Sequence, residues 1–366
     1  MARMSDAQRL VVFLPNPVGD TVMSTPVLRA LREHHPEARI VHVGRPPALN
    51  VLSGSRWADS MLPDLTAKRP KLSNWRELVA AIRAHRPDLA ILLPNSLRPA
   101  LAAWLGRCDR IVGYARNGRG LLLSDVLPVP RDEYGSRRPM PTIDYYRAIL
   151  ERLEIPCPSR RMELPLRDED ARAADELLAR AGQDTDRPTV MLNPGAAFGI
   201  SKMWPAERYA RLADRLTADR DAQIIINAAP SEKSVAAAVA EGMSRPPLLS
   251  FHERDNTVGL LKGLIRRCDL LVTNDTGARH FGAAFGIGVV TLFGSTDPVW
   301  AQIDYPRERI IRVEVPCAPC QQKTCPKPPG DEFHQCMRAI TVDSVAEACS
   351  DLLAAADLRQ TKANRA

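Results

Sequence analysis

Short apolar runs alternate with helical patterns along this chain, and that alternation constrains its fold more than any other feature. In the first half we predict strands at residues 10–14, 40–44, 89–93 and 110–113, with helices such as 75–85 and 144–153. The apolar runs lack the strict polar–apolar alternation of a strand that has one face in solvent. Strands that are apolar on both faces and separated by helices indicate parallel βαβ units.

The same pattern restarts in the second half of the chain. Strands are predicted at residues 189–193, 223–227, 270–273 and 289–293, after a helix at 168–181. The repeated pattern predicts an α/β protein with two Rossmann-like, doubly wound domains. In such a protein the ligand-binding loops lie at the carboxyl ends of the strands, facing a cleft. This pattern fits the GT-B architecture, and it fits a two-domain dehydrogenase equally well.

A stretch with three prolines at residues 156–165 marks the expected division of the chain. We predict an N-terminal domain over residues 1–165, a linker region over 166–188, a C-terminal domain over 189–345, and a C-terminal helix and tail over 346–366. The total of 366 residues fits two domains of about 100–200 residues each.

The composition is that of an ordinary globular protein, with 45% hydrophobic and 25% charged residues. It excludes a disordered chain, a collagen and a disulfide-stapled miniprotein. No apolar run approaches the roughly 18 residues needed to span a bilayer, and the first nine residues lack the apolar core of a secretory signal. We therefore expect a cytoplasmic protein with reduced thiols.

Positive charge is concentrated in the first half of the chain. Residues 1–164 contain 25 Lys and Arg against 16 Asp and Glu, whereas the remainder contains 25 against 27. Either these charges are scattered over a solvated surface, or the first half binds an anionic ligand. Nucleic acid is not expected as a partner, because only 5% of the residues are aromatic and no DNA- or RNA-binding signature is present.

Three junctions between a predicted strand and the following helix carry candidate chemistry. In the first, Gly19 permits a tight turn and Asp20 stands near the carboxyl end of the first strand, followed by Thr21. Asp20 has two interpretations. It is either a helix N-cap that satisfies main-chain amides, or a general base within hydrogen-bond reach of an acceptor hydroxyl.

The second junction runs from Asn193 to Pro205, where glycines follow a strand and Lys202 precedes a helix that begins at a proline. Such a loop is able to cradle a phosphate, so that Lys202 is either a phosphate ligand or a surface lysine. The segment matches neither a Walker A loop nor G-x-G-x-x-G, which disfavours a P-loop ATPase and a standard dinucleotide site.

The third junction leads into a helix that contains residues 281–285. Asp275, Thr276 and Gly277 offer a hydroxyl and main-chain N–H donors at the start of this helix, where the helix dipole favours a diphosphate. His280 lies one turn further on. It is either an additional hydrogen-bond donor or a packed core residue.

Together these segments resemble the lipopolysaccharide heptosyltransferase family, glycosyltransferase family 9. The resemblance covers nearly the whole chain and rests on Gly19-Asp20 with Pro26, Pro194-Gly-Ala…Lys202-x-Trp-Pro205, Asp275-Thr-Gly-x-x-His280 and Leu292-Phe-Gly-x-Thr-Asp-Pro298. The segment 111–123, with Asp144-Tyr-Tyr behind it, resembles the heptosyltransferase II branch. Arg279 departs from the family pattern, because a small or apolar residue is more usual there.

The resemblance implies a metal-independent, inverting GT-B enzyme that transfers a heptose from ADP-L-glycero-D-manno-heptose to a heptose of the lipopolysaccharide inner core. Asp20 would be the catalytic base, with Gly19 and Thr21 in the acceptor loop. The implied donor-binding residues are Lys202, Asp275, Thr276, Gly277, His280 and, at the ribose, Glu232. The acceptor would be a phosphate-bearing core oligosaccharide linked to lipid A. A peripheral enzyme that visits the cytoplasmic face of the inner membrane is therefore expected.

Other functions compete with this interpretation. A related glycosyltransferase with a different nucleotide-sugar donor or acceptor would share these motifs. A nucleotide-dependent dehydrogenase would show a glycine-rich fingerprint after the first strand and an acidic residue about 20 positions later, but two prolines stand there instead. A non-catalytic metal-binding or interaction module would not need the three junctions.

Four cysteines form a cluster, Cys317-x-x-Cys320-x4-Cys325-x10-Cys336. Four thiolates at such spacing are able to build a tetrahedral zinc site. The cluster therefore predicts either a structural zinc, with no cofactor required for catalysis, or free or redox-active thiols. The family resemblance includes a similar cysteine-rich segment, which favours a structural role.

Overall fold

The structure is a computed structural model that describes residues 7–66 and 71–354. It divides into two compact units. The first unit comprises the chain up to Pro165 together with Val299–Asp304, and the second comprises Leu166–Pro298 together with the chain from Tyr305 onward. The chain therefore leaves the second unit for one short segment and then returns to it.

The first unit is built on a parallel β-sheet. Its strands are β1 (Arg9–Phe13), β2 (Arg39–Gly44), β3 (Ser60–Pro63), β4 (Leu89–Leu92), β5 (Arg110–Tyr114) and β6 (Asp125–Leu127). Its helices are α1 (Val18–Met23), α2 (Thr25–His34), α3 (Pro46–Leu52), α4 (Leu72–His85), α5 (Leu97–Leu105) and α6 (Thr142–Arg152). The spatial order β3-β2-β1-β4-β5-β6 is that of a Rossmann-like sheet, in which the strand order reverses between β1 and β4.

The second unit repeats this design. Its strands are β7 (Thr189–Asn193), β8 (Gln223–Ile226), β9 (Leu249–Ser250), β10 (Leu270–Asn274), β11 (Gly288–Phe293) and β12 (Glu308–Arg312), in the order β12-β11-β10-β7-β8-β9. Its helices are α7 (Asp168–Arg180), α8 (Ala206–Arg220), α9 (Lys233–Gly242), α10 (Val258–Arg267), α11 (Gly277–Phe285), α12 (Gln335–Arg338) and α13 (Val342–Ala354). Strands β7, β10 and β11 are buried at every position, because helices cover both faces of a parallel sheet.

Two boundaries differ from those that the sequence predicts. The expected linker over residues 166–188 contains helix α7, which packs against α10 inside the second unit. The two helices pack closely because small residues face each other, Ala174 on α7 and Gly263 on α10. A Cβ at Gly263 would lie only 2.7 Å from the Cβ of Ala174, which is too close for two carbon atoms. The C-terminal helix begins at Val342 and packs against β11, so it belongs to the second unit. Residues 355–366 of the predicted tail lie outside the described residues.

The described part of the chain contains no helix with the length and apolar character of a membrane-spanning segment.

Arg279 and Glu308 form a buried ion pair between α11 and β12. Their side chains are 0% and 5% exposed, and the Nη2 atom of Arg279 donates to the Oε2 atom of Glu308 at 2.8 Å. The hydroxyl of Thr291 donates to the other carboxylate oxygen at 2.6 Å. The arginine that departs from the family pattern is therefore neutralised within the fold of the second unit.

Glu308→Ala should destabilise the second unit by about 3–5 kcal/mol, because it leaves the Arg279 guanidinium buried without its counter-charge. Hydrogen exchange of the β11 amides measures this loss locally. Glu176→Ala, which breaks the exposed pair with Arg180, is the control and should leave the exchange rates nearly unchanged. Equal protection of β11 in the two variants would contradict this account of the buried pair.

Candidate functional site

Lys202 and Asp275 meet at the carboxyl edge of the second sheet. Lys202 ends a 3-10 turn (Ile200–Lys202) after β7, and Asp275 directly follows β10, which is the neighbour of β7 in the sheet. The Lys202 ammonium donates to the Asp275 carboxylate at 2.5 Å and to its main-chain carbonyl at 3.0 Å. The Thr296 hydroxyl donates to the same carboxylate oxygen at 2.8 Å.

This ion pair is largely buried, with side-chain exposures of 12% for Lys202 and 10% for Asp275. Burial raises the pKa of Asp275, but the Lys202 charge and the hydrogen bonds from Lys202 and Thr296 outweigh it and lower the pKa overall. Asp275 is therefore ionised at neutral pH and fixes the ammonium in place. The ammonium also lies 4.8 Å from the centroid of the Phe198 ring. Lys202 is thus not a freely moving surface lysine.

Helix α11 begins directly beyond this ion pair. Thr276 is its N-cap residue and Gly277 its first residue. The first N–H groups of an α-helix have no partner within the helix, and they stand at the positive end of its dipole. The Thr276 hydroxyl does not cap the helix. Instead it pairs with the hydroxyl of Thr273 at 3.0 Å and accepts a hydrogen bond from Nδ2 of Asn193 at 3.2 Å.

His280 lies one turn into α11 and is 3% exposed. Within the described residues its Nδ1 atom has no hydrogen-bond partner. Burial, with a smaller effect from the positive charge of Arg279, lowers the pKa of His280 to about 3. His280 is consequently neutral at neutral pH. It is able to hydrogen-bond a ligand oxygen, but it adds no positive charge to the site.

Glu232 is also brought to this edge of the sheet. It ends the 3-10 turn Pro230–Glu232 after β8, and its carboxylate accepts a hydrogen bond from the main-chain N–H of Ala229 at 3.2 Å. The carboxylate lies directly over Gly195 of the β7 loop, where a Cβ would be 2.1 Å from the Glu232 carboxyl carbon. Because Gly195 has no side chain, the Glu232 carboxylate can occupy this space.

The turn that carries Lys202 rests on the cysteine-rich segment 317–336. The main-chain N–H of Ser201 donates to the carbonyl of Lys323 at 3.1 Å, and Nε2 of His334 lies 2.9 Å from the carbonyl oxygen of Ser201. These contacts fix the residue immediately before Lys202. The segment therefore supports the loop of the second unit that holds the ammonium.

The four cysteines Cys317, Cys320, Cys325 and Cys336 are free thiols that line one cavity of about 20 Å³. Burial and the neighbouring thiols raise the pKa of Cys336 to about 11. Among the described residues, however, no group of three or more His, Cys, Asp or Glu side chains is arranged to hold a metal ion. The structural zinc therefore stays a prediction, which metal analysis of the purified protein tests.

A chain of asparagine amides lies beneath the site, and sequence reasoning missed it. Nδ2 of Asn256 donates to Asn227 at 2.7 Å, and Nδ2 of Asn227 donates to Asn193 at 2.6 Å. Asn193 in turn reaches Thr276. The sequence feature that could have identified these residues is their position, because Asn193 and Asn227 each stand at the carboxyl end of a predicted strand.

In the first unit, Asp20 lies in the first turn of α1 rather than at its N-cap, which is Pro17. The N-cap interpretation of Asp20 is therefore wrong. The side chain is partly exposed, and its charge acts on the buried phenol of Tyr146 in α6. Asp20 is thus a partly accessible carboxylate at the carboxyl edge of the first sheet.

The two neighbours of Asp20 shape its turn. Gly19 is buried in α1. Thr21 is fully buried, and its hydroxyl lies within hydrogen-bond distance of the carbonyls of Pro15 at 3.1 Å and Pro17 at 3.2 Å. Thr21 therefore holds the shape of the segment that the resemblance assigns to the acceptor loop.

Residues 75–330 match the profile of glycosyltransferase family 9, the heptosyltransferase family. The chain belongs to glycosyltransferase family 9. This membership confirms that it is a glycosyltransferase, and it leaves the dehydrogenase alternative without support. A lipooligosaccharide heptosyltransferase 2 of Campylobacter jejuni is 23% identical over 94% of this chain and 98% of its own length. Lipopolysaccharide heptosyltransferase 2 of Escherichia coli is 25% identical over the same shares of both chains.

Solved structures support the fold of this family 9 glycosyltransferase. A glycosyltransferase family 9 protein of Veillonella parvula superposes with a TM-score of 0.82 at 22% identity, covering 97% of this chain and 99% of its own. The E. coli ADP-heptose heptosyltransferase II superposes with a TM-score of 0.76 at 23% identity, covering 94% and 98%. The predicted GT-B class, with two Rossmann-like parallel sheets, is thereby confirmed.

The low pKa of His280 predicts a pH-dependent stability of the second unit. Folded His280 has a pKa of about 3, whereas an unfolded histidine has one of about 6.5. Between these values only the unfolded chain binds the proton, so stability falls as the pH falls, by about 1.4 kcal/mol per pH unit.

His280→Gln should remove this contribution from the slope of unfolding free energy between about pH 6 and pH 4. Urea unfolding at a series of pH values measures the slope. His42 of the first unit, whose pKa is also about 3, should keep its own contribution in the variant. An unchanged slope for the second unit would show that His280 is not held neutral.

Proposed function

We propose that this family 9 glycosyltransferase transfers a heptose from ADP-L-glycero-D-manno-heptose to a heptose of the lipopolysaccharide inner core. The relatives named heptosyltransferase 2, which align over 94% of the chain, support the choice of sugar and acceptor. The structural observation that carries the proposal is the Lys202 ammonium, fixed at the start of helix α11. That arrangement suits the diphosphate of a nucleotide sugar.

The second unit would bind the donor. Lys202 and the main-chain amides at Thr276 and Gly277 would neutralise the charge that develops on the departing ADP, and His280 would hydrogen-bond a phosphate oxygen. Asp275 would hold Lys202 in position at the donor site. Because fixed donors and an ammonium are already oriented, we infer that catalysis needs no divalent cation. Glu232, beside the same loop, would accept hydrogen bonds from the ribose hydroxyls.

The first unit would bind the acceptor. The acceptor oxygen forms a bond to the anomeric carbon while the bond from that carbon to the phosphate oxygen breaks. The electron pair leaves with ADP, and the acceptor proton passes to the carboxylate of Asp20 as general base. Attack opposite to the leaving group inverts the configuration at the anomeric carbon.

We also infer a cytoplasmic enzyme that touches the cytoplasmic face of the inner membrane transiently. The proposed acceptor is linked to lipid A, and the excess of Lys and Arg over Asp and Glu in residues 1–164 favours approach to an anionic surface. Nucleic acid has no part in this proposal.

Asp20→Ala should lower the rate of heptose transfer by about 10²–10⁴-fold, because it removes the base, and should leave ADP affinity unchanged. Lys202→Ala should weaken both ADP binding and transfer. Calorimetric titration with ADP and a transfer assay separate the two effects. Arg180→Ala, which removes an exposed arginine of the same unit as Lys202, paired with Glu176, serves as the control. Normal transfer by Asp20→Ala would rule out this base.

A panel of nucleotide sugars tests the donor. We expect turnover with ADP-heptose and none with UDP- or GDP-sugars, and the rate should persist in the presence of EDTA. Release of ADP and mass spectrometry of the extended acceptor measure the reaction. Turnover restricted to a UDP- or GDP-sugar would overturn the donor assignment, and loss of activity with EDTA that Mg²⁺ restores would overturn the metal-independent mechanism.

A further inference from the structure

Three arginines at the carboxyl edge of the first sheet have no role in the reaction as described above. Arg116 and Arg119 follow β5, and Arg137 lies in the loop before α6. We call them the arginine cluster. Within the described residues, no carboxylate lies at ion-pair distance from any of them. In the same unit, Arg110 is paired with Asp125 at 2.7 Å, so the cluster differs from its surroundings.

Arg119 is fully buried, and its guanidinium bonds to main-chain carbonyls. It donates to the carbonyls of Tyr114 at 2.9 Å and Ser96 at 3.2 Å, and also to that of Pro94. Burial lowers the pKa of Arg119 to about 10, which keeps it charged at neutral pH. A buried cation without a counter-ion leaves positive potential at this edge. It also ties the loop after β4 to the loop after β5.

Arg137 is held by two aromatic rings. Its guanidinium lies 4.1 Å from the centroid of the Trp300 ring and 5.6 Å from that of Tyr145. Stacking uses the faces of a guanidinium and leaves its N–H edges able to bind oxygen atoms. Trp300 belongs to the short segment Val299–Asp304, which packs with the first unit. This segment therefore supplies a wall of the cluster.

The cluster stands close to the proposed base. Strand β1, whose following turn carries Asp20, pairs with β4, and β4 pairs with β5. Because parallel strands share one carboxyl edge, the first turn of α1, which carries Asp20, and the loop that carries Arg116 lie at the same edge of the sheet. The buried phenol of Tyr146 is influenced by the charges of both Asp20 and Arg137. A sugar that offers a hydroxyl to Asp20 would thus have neighbouring groups within reach of the arginines.

We propose that Arg116 and Arg137 bind an anionic group of the acceptor, a phosphate or a carboxylate, next to the hydroxyl that Asp20 deprotonates. Arg119 is a positioning residue that fixes the loop of Arg116. Planar guanidinium groups that are not neutralised by carboxylates suit oxygen-rich anions. The inference rests on the proposed function, because it assigns an acceptor to the first unit. The proposed anion site would discriminate among acceptors and would not affect binding of the donor.

Arg137→Ala and Arg116→Ala should each raise the KM for the lipid A-linked heptose acceptor by about ten- to a hundredfold, since each removes a charge-assisted hydrogen bond. The kcat, the KM for ADP-heptose and the affinity for ADP should stay unchanged. Arg161→Ala removes a largely exposed arginine of the same unit and is the matched control. Trp300→Leu should raise the acceptor KM less, because it removes only a stacking partner of Arg137.

The acceptor itself supplies the other half of the test. Phosphatase-treated acceptor and acceptor with methyl-esterified carboxyl groups distinguish the two kinds of anion. The treatment that removes or blocks the anionic group bound by the arginines should raise the acceptor KM of the wild type to that of Arg137→Ala. The same treatment should change the acceptor KM of Arg137→Ala little. Equal KM values for wild type and both arginine variants would overturn the inference. So would a wild-type KM that neither treatment changes.

These outcomes are independent of the proposed donor and base. If wild-type enzyme transfers no heptose, the proposed function fails. If it transfers heptose and the arginine variants match it, only the anion site fails. Should Arg137→Ala not fold, as judged by circular dichroism, the partly exposed Arg116 still decides the matter through Arg116→Ala.

Discussion

The contact between the Lys202 ammonium and the Asp275 carboxylate depends on two parallel strands that end at one edge of a sheet. Burying such a pair costs desolvation free energy, which strong hydrogen bonds must offset. Here the carboxylate also accepts a hydrogen bond from Thr296, and the turn before Lys202 is held by the cysteine-rich segment. A diphosphate arriving at helix α11 would therefore meet a cation that is already oriented, so little reorganisation accompanies binding.

The sequence predicts the inner strands of both sheets well and misses the outer ones. The strands that were not predicted, β3, β6, β9 and β12, are the edges of the two sheets. Edge strands are short and half-exposed, as the mixed burial of β12 illustrates. They lack the continuous apolar run that marks a strand covered on both faces. The central strands carry the site loops, which explains why the junctions could be located from sequence.

Within the site, the sequence predicts which residues gather but not how they pair. The spacing of Lys202 and Asp275 along the chain places both after neighbouring strands, yet nothing in the motif indicates that they bind one another. The asparagine chain from Asn256 to Asn193 was missed because an amide becomes informative only once its partners are known. The cysteine spacing suggests zinc, but ligand geometry depends on the path of the loop between the cysteines.

The segment Val299–Asp304 makes the first unit discontinuous along the chain. Any excision or exchange of halves at Pro165 would leave Trp300 with the wrong partner, and Arg137 would lose one of the rings that flank it. A chimaera between two relatives would therefore have to transplant this hexapeptide along with the N-terminal half. In evolutionary terms, the residues to which we assign acceptor binding are encoded in two separate stretches of the gene.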